Sequence, residues 1–164
     1  MAGFGLGSPN DSTQILRIKM SPFLALDYGQ RRIGIAVSDP SDSLARALTT
    51  HRTDADGPFF QFLDQLIKKY HIEGLVLGLP LTTAGEEGEQ AKRVRTFAQK
   101  VTEHTQLPVI FQDERFSSRE ASIFLRMGRK RGLDKSEVDA VAAEIILQQY
   151  LDRRNQDQRS ENIE

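Results

Sequence analysis

The stretch Phe23-Leu24-Ala25-Leu26-Asp27-Tyr28-Gly29, followed after a polar turn by Ile33-Gly34-Ile35-Ala36-Val37-Ser38, decides how the chain is read. Two short apolar runs around a turn predict two strands joined as a hairpin. A weaker strand from about Arg46 to Thr50 completes a meander. Beyond it the period changes. Asp56-Gly57-Pro58 is a helix start, and Phe59, Phe62, Leu63, Leu66, Ile67 and Tyr70 follow at helical spacing. Gly74-Leu75-Val76-Leu77-Gly78-Leu79, closed by Pro80, is a continuous apolar run that suits a strand buried on both faces in the parallel part of a sheet. After a loop through Thr82-Thr83-Ala84-Gly85 comes a second helix with Ala91, Val94, Phe97, Ala98 and Val101. A further strand, Leu107-Pro108-Val109-Ile110-Phe111, stops at Asp113-Glu114-Arg115. The strand–helix–strand alternation implies a crossover and parallel pairing.

Toward the C-terminus, Ser117 with Glu120 forms a capping box for a third helix through Ala121, Phe124 and Leu125, ending near Gly128. The basic loop Arg129-Lys130-Arg131-Gly132 precedes a last helix, which is expected to begin near Asp134 to Ser136 and to run to about Leu151. Residues 1–21, rich in Gly, Ser, Asn and Asp, read as a mobile extension in which Met20 is an alternative start. Residues 152–164 read as a polar tail, which leaves 22–151 as a single α/β domain.

Composition bounds the function. The 164 residues are 38% hydrophobic and 27% charged, which is one ordinary globular domain. Twenty-two Lys and Arg against 23 Asp and Glu give a net charge of -1, so any nucleic acid must be held by local patches rather than bulk charge. The absence of Cys excludes disulfides, thiol catalysis and cysteine-ligated metals, and it fits a reducing cytoplasm. No apolar run approaches the roughly 20 residues of a membrane span, and Pro9, Asn10 and Asp11 stand where a signal peptide needs an apolar core.

The candidate chemistry is acidic. Asp27 ends the first strand, Asp113 and Glu114 end the last, and Asp139 lies early in the final helix, where the small Ala142 and Ala143 would let that helix lie close to the sheet. Active sites of open sheets with parallel strands gather at the carboxyl ends of the strands. Carboxylates grouped there repel one another unless protonated or neutralised, and an all-oxygen set suits Mg²⁺ or Mn²⁺. Two such ions about 4 Å apart can activate a water and stabilise the leaving oxygen of a phosphodiester. Taken singly, each acid has a plainer reading. Asp27 suits a tight turn, Asp113-Glu114 a solvated strand end paired with Arg115, and Asp139 the dipole of a helix start. Their joint order is what points to a site. Arg31, Arg32 and Arg115, with Arg129, Lys130 and Arg131, are the candidate phosphate ligands, although a basic loop is also a common solvated surface. Gly85 and Gly88 suit a loop, and His51, His71 and His104 match no metal spacing.

Several phrases occur together in order: Leu26-Asp27-Tyr28-Gly29 with Arg32-Ile33-Gly34; Val76-Leu77-Gly78-Leu79-Pro80-Leu81 with Gly85 and Gly88; Val94-Arg95-Thr96-Phe97-Ala98; Asp113-Glu114-Arg115-Phe116-Ser117-Ser118; and Asp139 with Ala142-Ala143. Over about residues 22 to 151 they resemble the YqgF (RuvX) family of pre-16S rRNA nucleases, formerly described as Holliday-junction-resolvase-like. The resemblance implies an RNase H-like fold: a five-stranded mixed sheet, three antiparallel strands then two parallel ones, with helices on both faces. It also implies catalytic carboxylates at Asp27, Glu114 and Asp139, with Asp113 as a less certain metal ligand. Ser118 stands where the family often has Thr, and Gly128 to Lys135 is unusually basic.

The function expected is metal-dependent hydrolysis of structured RNA, with pre-16S rRNA and ribosomal precursor particles as partners and the chain a monomer or homodimer. Cleavage of branched DNA is the alternative. An actin-like ATPase shares the Asp-x-Gly turn but needs two such domains, and a non-catalytic RNA-binding module would keep the fold without turnover.

Overall fold

Alternation along the first strand sets up two cores. In β1 (Phe23–Tyr28), Leu24 and Leu26 face one side of the sheet while Phe23 and Ala25 face the other, and all four are fully buried. The computed structural model describes residues 22–53, 56–114, 132 and 134–163. After β1 come β2 (Arg32–Ser38), β3 (Ala45–Arg52), α1 (Asp56–Tyr70), β4 (Gly74–Leu79), α2 (Glu89–Thr105), β5 (Val109–Asp113) and α3 (Lys135–Glu161).

The strands form one sheet in the order β3-β2-β1-β4-β5. Pairing is antiparallel from β1 to β2 to β3 and parallel where β4 joins β1 and β5, the mixed five-stranded arrangement expected from the sequence. Helices α1 and α2 cover one face, burying Phe59, Leu63, Leu66, Val94, Phe97 and Val101 against Leu24, Leu26, Ile35, Leu75 and Leu77. Helix α3 covers the other with Ala143, Ile146, Leu147, Tyr150 and Leu151 over Phe23, Ala25, Ala36 and Val76. Full burial of one such Leu stabilises the fold by roughly 1.5–3 kcal/mol.

Local differences from the expected elements have physical reasons. The last strand starts at Val109 rather than Leu107, because Pro108 has no amide to donate and contributes only its carbonyl, which accepts from Leu75 N at 2.9 Å. The third helix expected over Ser117 to Gly128, the basic loop as far as Arg131, and residues 1–21 lie outside the described residues.

Helix α3 does not stop at Leu151. It continues to Glu161, so most of the expected polar tail is helix. The apolar face ends at Leu151, but the next turn is held by polar contacts that apolar periodicity does not register. Arg154 pairs with Asp42 at 3.1 Å, both side chains nearly buried at 11% and 7% exposed, and its guanidinium lies over the Phe23 ring. Asn155 donates to the Asp42 carbonyl at 3.1 Å. Asp42 also accepts from the buried Ser38 hydroxyl, whose oxygen accepts from Phe23 N. The outer strand is fastened by the same helix: Ala45 N donates to Gln148 Oε1 at 2.9 Å and Ala47 N to Glu144 Oε2 at 3.0 Å. The register shift between Ile35 and Ala36 leaves Leu48 as an extra residue in β3.

The closest approach of helix to sheet is at Gly34 in β2. A side-chain carbon there would overlap the carbonyl oxygen of Asp139 and lie 3.1 Å from Ala140 N, so only glycine fits without moving the helix. Gly34→Ala is expected to lose about 3 kcal/mol of stability in urea unfolding. Gly88→Ser, at a helix N-cap with open space around its α-carbon, is the control and should be unchanged or more stable. Arg154→Leu leaves Asp42 buried without its counter-charge, and the same measurement should show a loss of about 3 kcal/mol.

Candidate active site

The contact at Gly34 brings the first acidic pair together. Register pairs Asp27 with Gly34 across β1 and β2, and strand alternation puts Asp27 on the face that α3 covers. Because α3 rests on Gly34 through the backbone of Asp139, that residue arrives beside Asp27 at the carboxyl end of β1. The helix start is fixed by a capping box in which Asp134 accepts from Glu137 N and Glu137 accepts from Asp134 N.

Glu114 reaches the same place from β5. It follows the last strand residue, and its amide donates to Leu79 O at 3.2 Å. Its carboxylate lies over Gly78, where a side-chain carbon would overlap Glu114 Oε1 and lie 2.7 Å from Ile146 Cδ1. Asp113 pairs in register with Leu79, whose side chain belongs to the opposite core, so alternation sends Asp113 to the α1–α2 side. Asp27, Glu114 and Asp139 are thus brought to one rim, and Asp113 is their neighbour across the sheet.

The electrostatics bear the mark of this crowding. Burial, and then the charge of Asp139, pushes the Asp27 carboxyl up to about 6. Burial, followed by Asp27 and Asp113, pushes Glu114 up to about 7. Each carboxylate resists ionisation because little water reaches it and another negative charge faces it. Such paired perturbation at the carboxyl ends of parallel strands marks a candidate functional site.

The predicted basic residues separate. Arg32 is committed to the site, its Nε donating to Asp139 Oδ2 at 2.6 Å with both side chains about one-third exposed. Its terminal amino groups bond to none of the described residues. Arg31 is exposed on the β1–β2 turn, with its carbonyl accepting from Thr53 N. Arg115, Arg129, Lys130 and Arg131 lie outside the described residues. Sequence reasoning missed Gly34 and Gly78, the notches that admit Asp139 and Glu114. An isolated glycine inside an apolar strand run was the available signal.

A divalent cation is the group these residues invite. Among the described residues no three Asp, Glu or His side chains are gathered tightly enough to hold an ion, and Asp139 is held by Arg32. The donor chemistry nevertheless fits. Asp27 and Glu114 are hard oxygen ligands whose ionisation is disfavoured by burial and by neighbouring negative charge, and Asp139 adds a third oxygen donor once its ion pair opens.

The fold is shared with a structure of T. thermophilus RuvC in complex with a Holliday junction substrate, at a TM-score of 0.52 and 14% identity over 81% of this chain and 95% of that one. This likeness supports the RNase H-like architecture expected from the sequence. A protein of Caldanaerobacter subterraneus is 40% identical over 79% of this chain and 94% of its own length. One of Synechocystis is 46% identical over 80% and 87%, and both carry the name "Putative pre-16S rRNA nuclease". A family model described as "RuvX: Holliday junction resolvase" matches residues 21–153, which takes in β1 through most of α3 and every acidic position of the rim. By that match and these relatives, the chain belongs to the RuvX family.

Proposed function

We propose that the chain is a divalent-cation-dependent nuclease that hydrolyses phosphodiester bonds in structured RNA, acting in the cytoplasm on the 5′ end of pre-16S rRNA. Membership of a resolvase family and the names of the relatives support phosphodiester cleavage. The observation that carries the reading is the pair Asp27 and Glu114, partly buried at the carboxyl ends of β1 and β5 with their pKa values raised to about 6 and about 7.

Mg²⁺ or Mn²⁺ held by Asp27, Glu114 and Asp139 would supply an activated water and charge stabilisation at the phosphoryl oxygens. The chain's own residues do the rest. Ile146, packed beside Gly78 and Glu114, keeps water from that side of the rim. Arg32 steadies Asp139 through Nε and presents its outer amino groups, a fork that matches phosphate oxygens. A substrate phosphate on those outer groups shares the guanidinium with Asp139, and drawing the guanidinium outward would release Asp139 toward the rim. Helix α3 keeps the released carboxylate within reach, because its backbone is seated on Gly34.

Branched DNA is the second reading, favoured by the family description and by the resolvase fold. Precursor 16S rRNA and a four-way DNA junction, each incubated with protein in Mg²⁺, Mn²⁺ or chelator, separate the two. Cleavage of the rRNA precursor alone is expected, lost in chelator and reduced by more than about 100-fold in Asp27→Asn, since even outer-shell partners of a metal are worth 10–100-fold. Cleavage of the junction alone would assign the second reading, and activity indifferent to chelator and to Asp27→Asn would refute both.

The raised pKa values also predict a pH dependence of stability. Between about pH 4 and about 7 the folded state holds protons on Asp27 and Glu114 that the unfolded chain has released. The stability contributed by these groups is full below their unfolded values near 4 and is lost as pH rises through about 6 and about 7. In chelator, melting temperature should fall over that window. The fall should be smaller in Asp27→Asn and Glu114→Gln, and Mn²⁺ should restore the melting temperature of the unsubstituted protein at pH 8.

A further inference from the structure

Asp27 and Tyr28 are consecutive, yet they open onto opposite faces of the sheet. Asp27 belongs to the acidic rim under α3, while Tyr28 packs with the core on the α1–α2 side. There the Tyr28 ring stacks on Phe97, centroids 4.3 Å apart and planes inclined by 18°. The two rings floor a cavity of about 230 Å³ whose other lining residues are Glu89, Lys92, Arg93, Thr96 and Lys100 of α2.

These residues recur at helical spacing along one exposed stripe, three cations against one acid. Lys92 reaches Glu89 only loosely, at 3.6 Å with both side chains largely in water, and Arg93 pairs with none of the described residues. The neighbouring face of α2 behaves otherwise. Arg95 is bound to Glu87 and lies over the Phe111 ring, so it is a structural cation. The amino-terminal turn of α2 is tied to the strand end, Gln90 Nε2 donating to Tyr28 O at 3.4 Å.

We propose that this groove binds the backbone phosphates of the substrate strand as it leaves the acidic rim, with Lys92 and Arg93 as the principal phosphate ligands. The proposal rests on the nucleic-acid part of the reading above. Cations alone do not select an occupant, but these stand over an aromatic floor one residue from Asp27. The net positive stripe attracts a polyanion, and a strand laid along it runs its phosphates beside α2 with a sugar or base face over Tyr28.

The test measures binding of a fluorescein-labelled 20-nucleotide RNA single strand by anisotropy across salt concentrations, with Asp27→Asn as the background so that cleavage cannot interfere. Lys92→Ala with Arg93→Ala should weaken binding about 10-fold at 0.1 M salt and lower the slope of log K against log salt by about 1.4, the release expected for two phosphate contacts on a single strand. Lys68→Ala with Lys69→Ala, in the last turn of α1, removes equal charge away from the groove and should leave the slope alone. On the cleaving protein the groove variant should raise KM with kcat retained. An unchanged slope, or an equal loss in the α1 control, overturns the groove even if the protein cleaves RNA. The expected slope change in a protein that cleaves nothing supports the groove while refuting the nuclease.

Discussion

The backbone contact between Gly34 and Asp139 is the constraint on which the rest of the structure depends. It is a steric fact, created by a missing side chain, and it sets the height of α3 above the sheet. Once that height is fixed, Ala143, Ile146 and Leu147 fall into register over Ala25, Ala36 and Val76, and the second core closes. The same height decides that Asp139 reaches Asp27 and that Ile146 leaves just enough room for Glu114 over Gly78. Packing and chemistry are therefore set by one distance.

The acidic rim is bought at the expense of stability. Three partly buried carboxylates face one another, and their repulsion is tempered in two ways, by the raised proton affinity of Asp27 and Glu114 and by the pairing of Arg32 with Asp139. Both are reversible. A cation would take the place of the protons and a phosphate would draw on the guanidinium, so the groups that temper the repulsion are the ones a bound cation and substrate would engage.

Much of this was legible in the sequence, because the strands and most helices announce themselves through period and punctuation. The run Gly74 to Leu79 and the stripe from Phe59 to Tyr70 are local signals, and they survive intact in the fold. So does the joint order of Asp27, Glu114 and Asp139. What was illegible depends on pairs far apart in the chain. Arg32 and Asp139 are separated by 107 positions, and neither residue carries a mark that names the other, so Arg32 read as a free phosphate ligand. Arg154 and Asp42 are 112 positions apart, and without that pair the last turns of α3 look like solvated tail. The cationic stripe at Lys92, Arg93 and Lys100 was hidden differently. Each cation is ordinary for a helix exterior, and only the placement of Tyr28 beneath them gives the stripe a floor.

The way α3 fastens β3 has one more consequence. An outer strand normally presents a row of unsatisfied amides, the usual template for sheet growth. Here Gln148 and Glu144 already occupy the amides of Ala45 and Ala47, and the extra residue Leu48 breaks the regular spacing that an incoming strand would need to match. A second molecule meets a margin whose first two outward amides are taken. Sheet-to-sheet aggregation through this side must first peel away the helix that carries Asp139, so resistance to aggregation and integrity of the acidic rim are lost together.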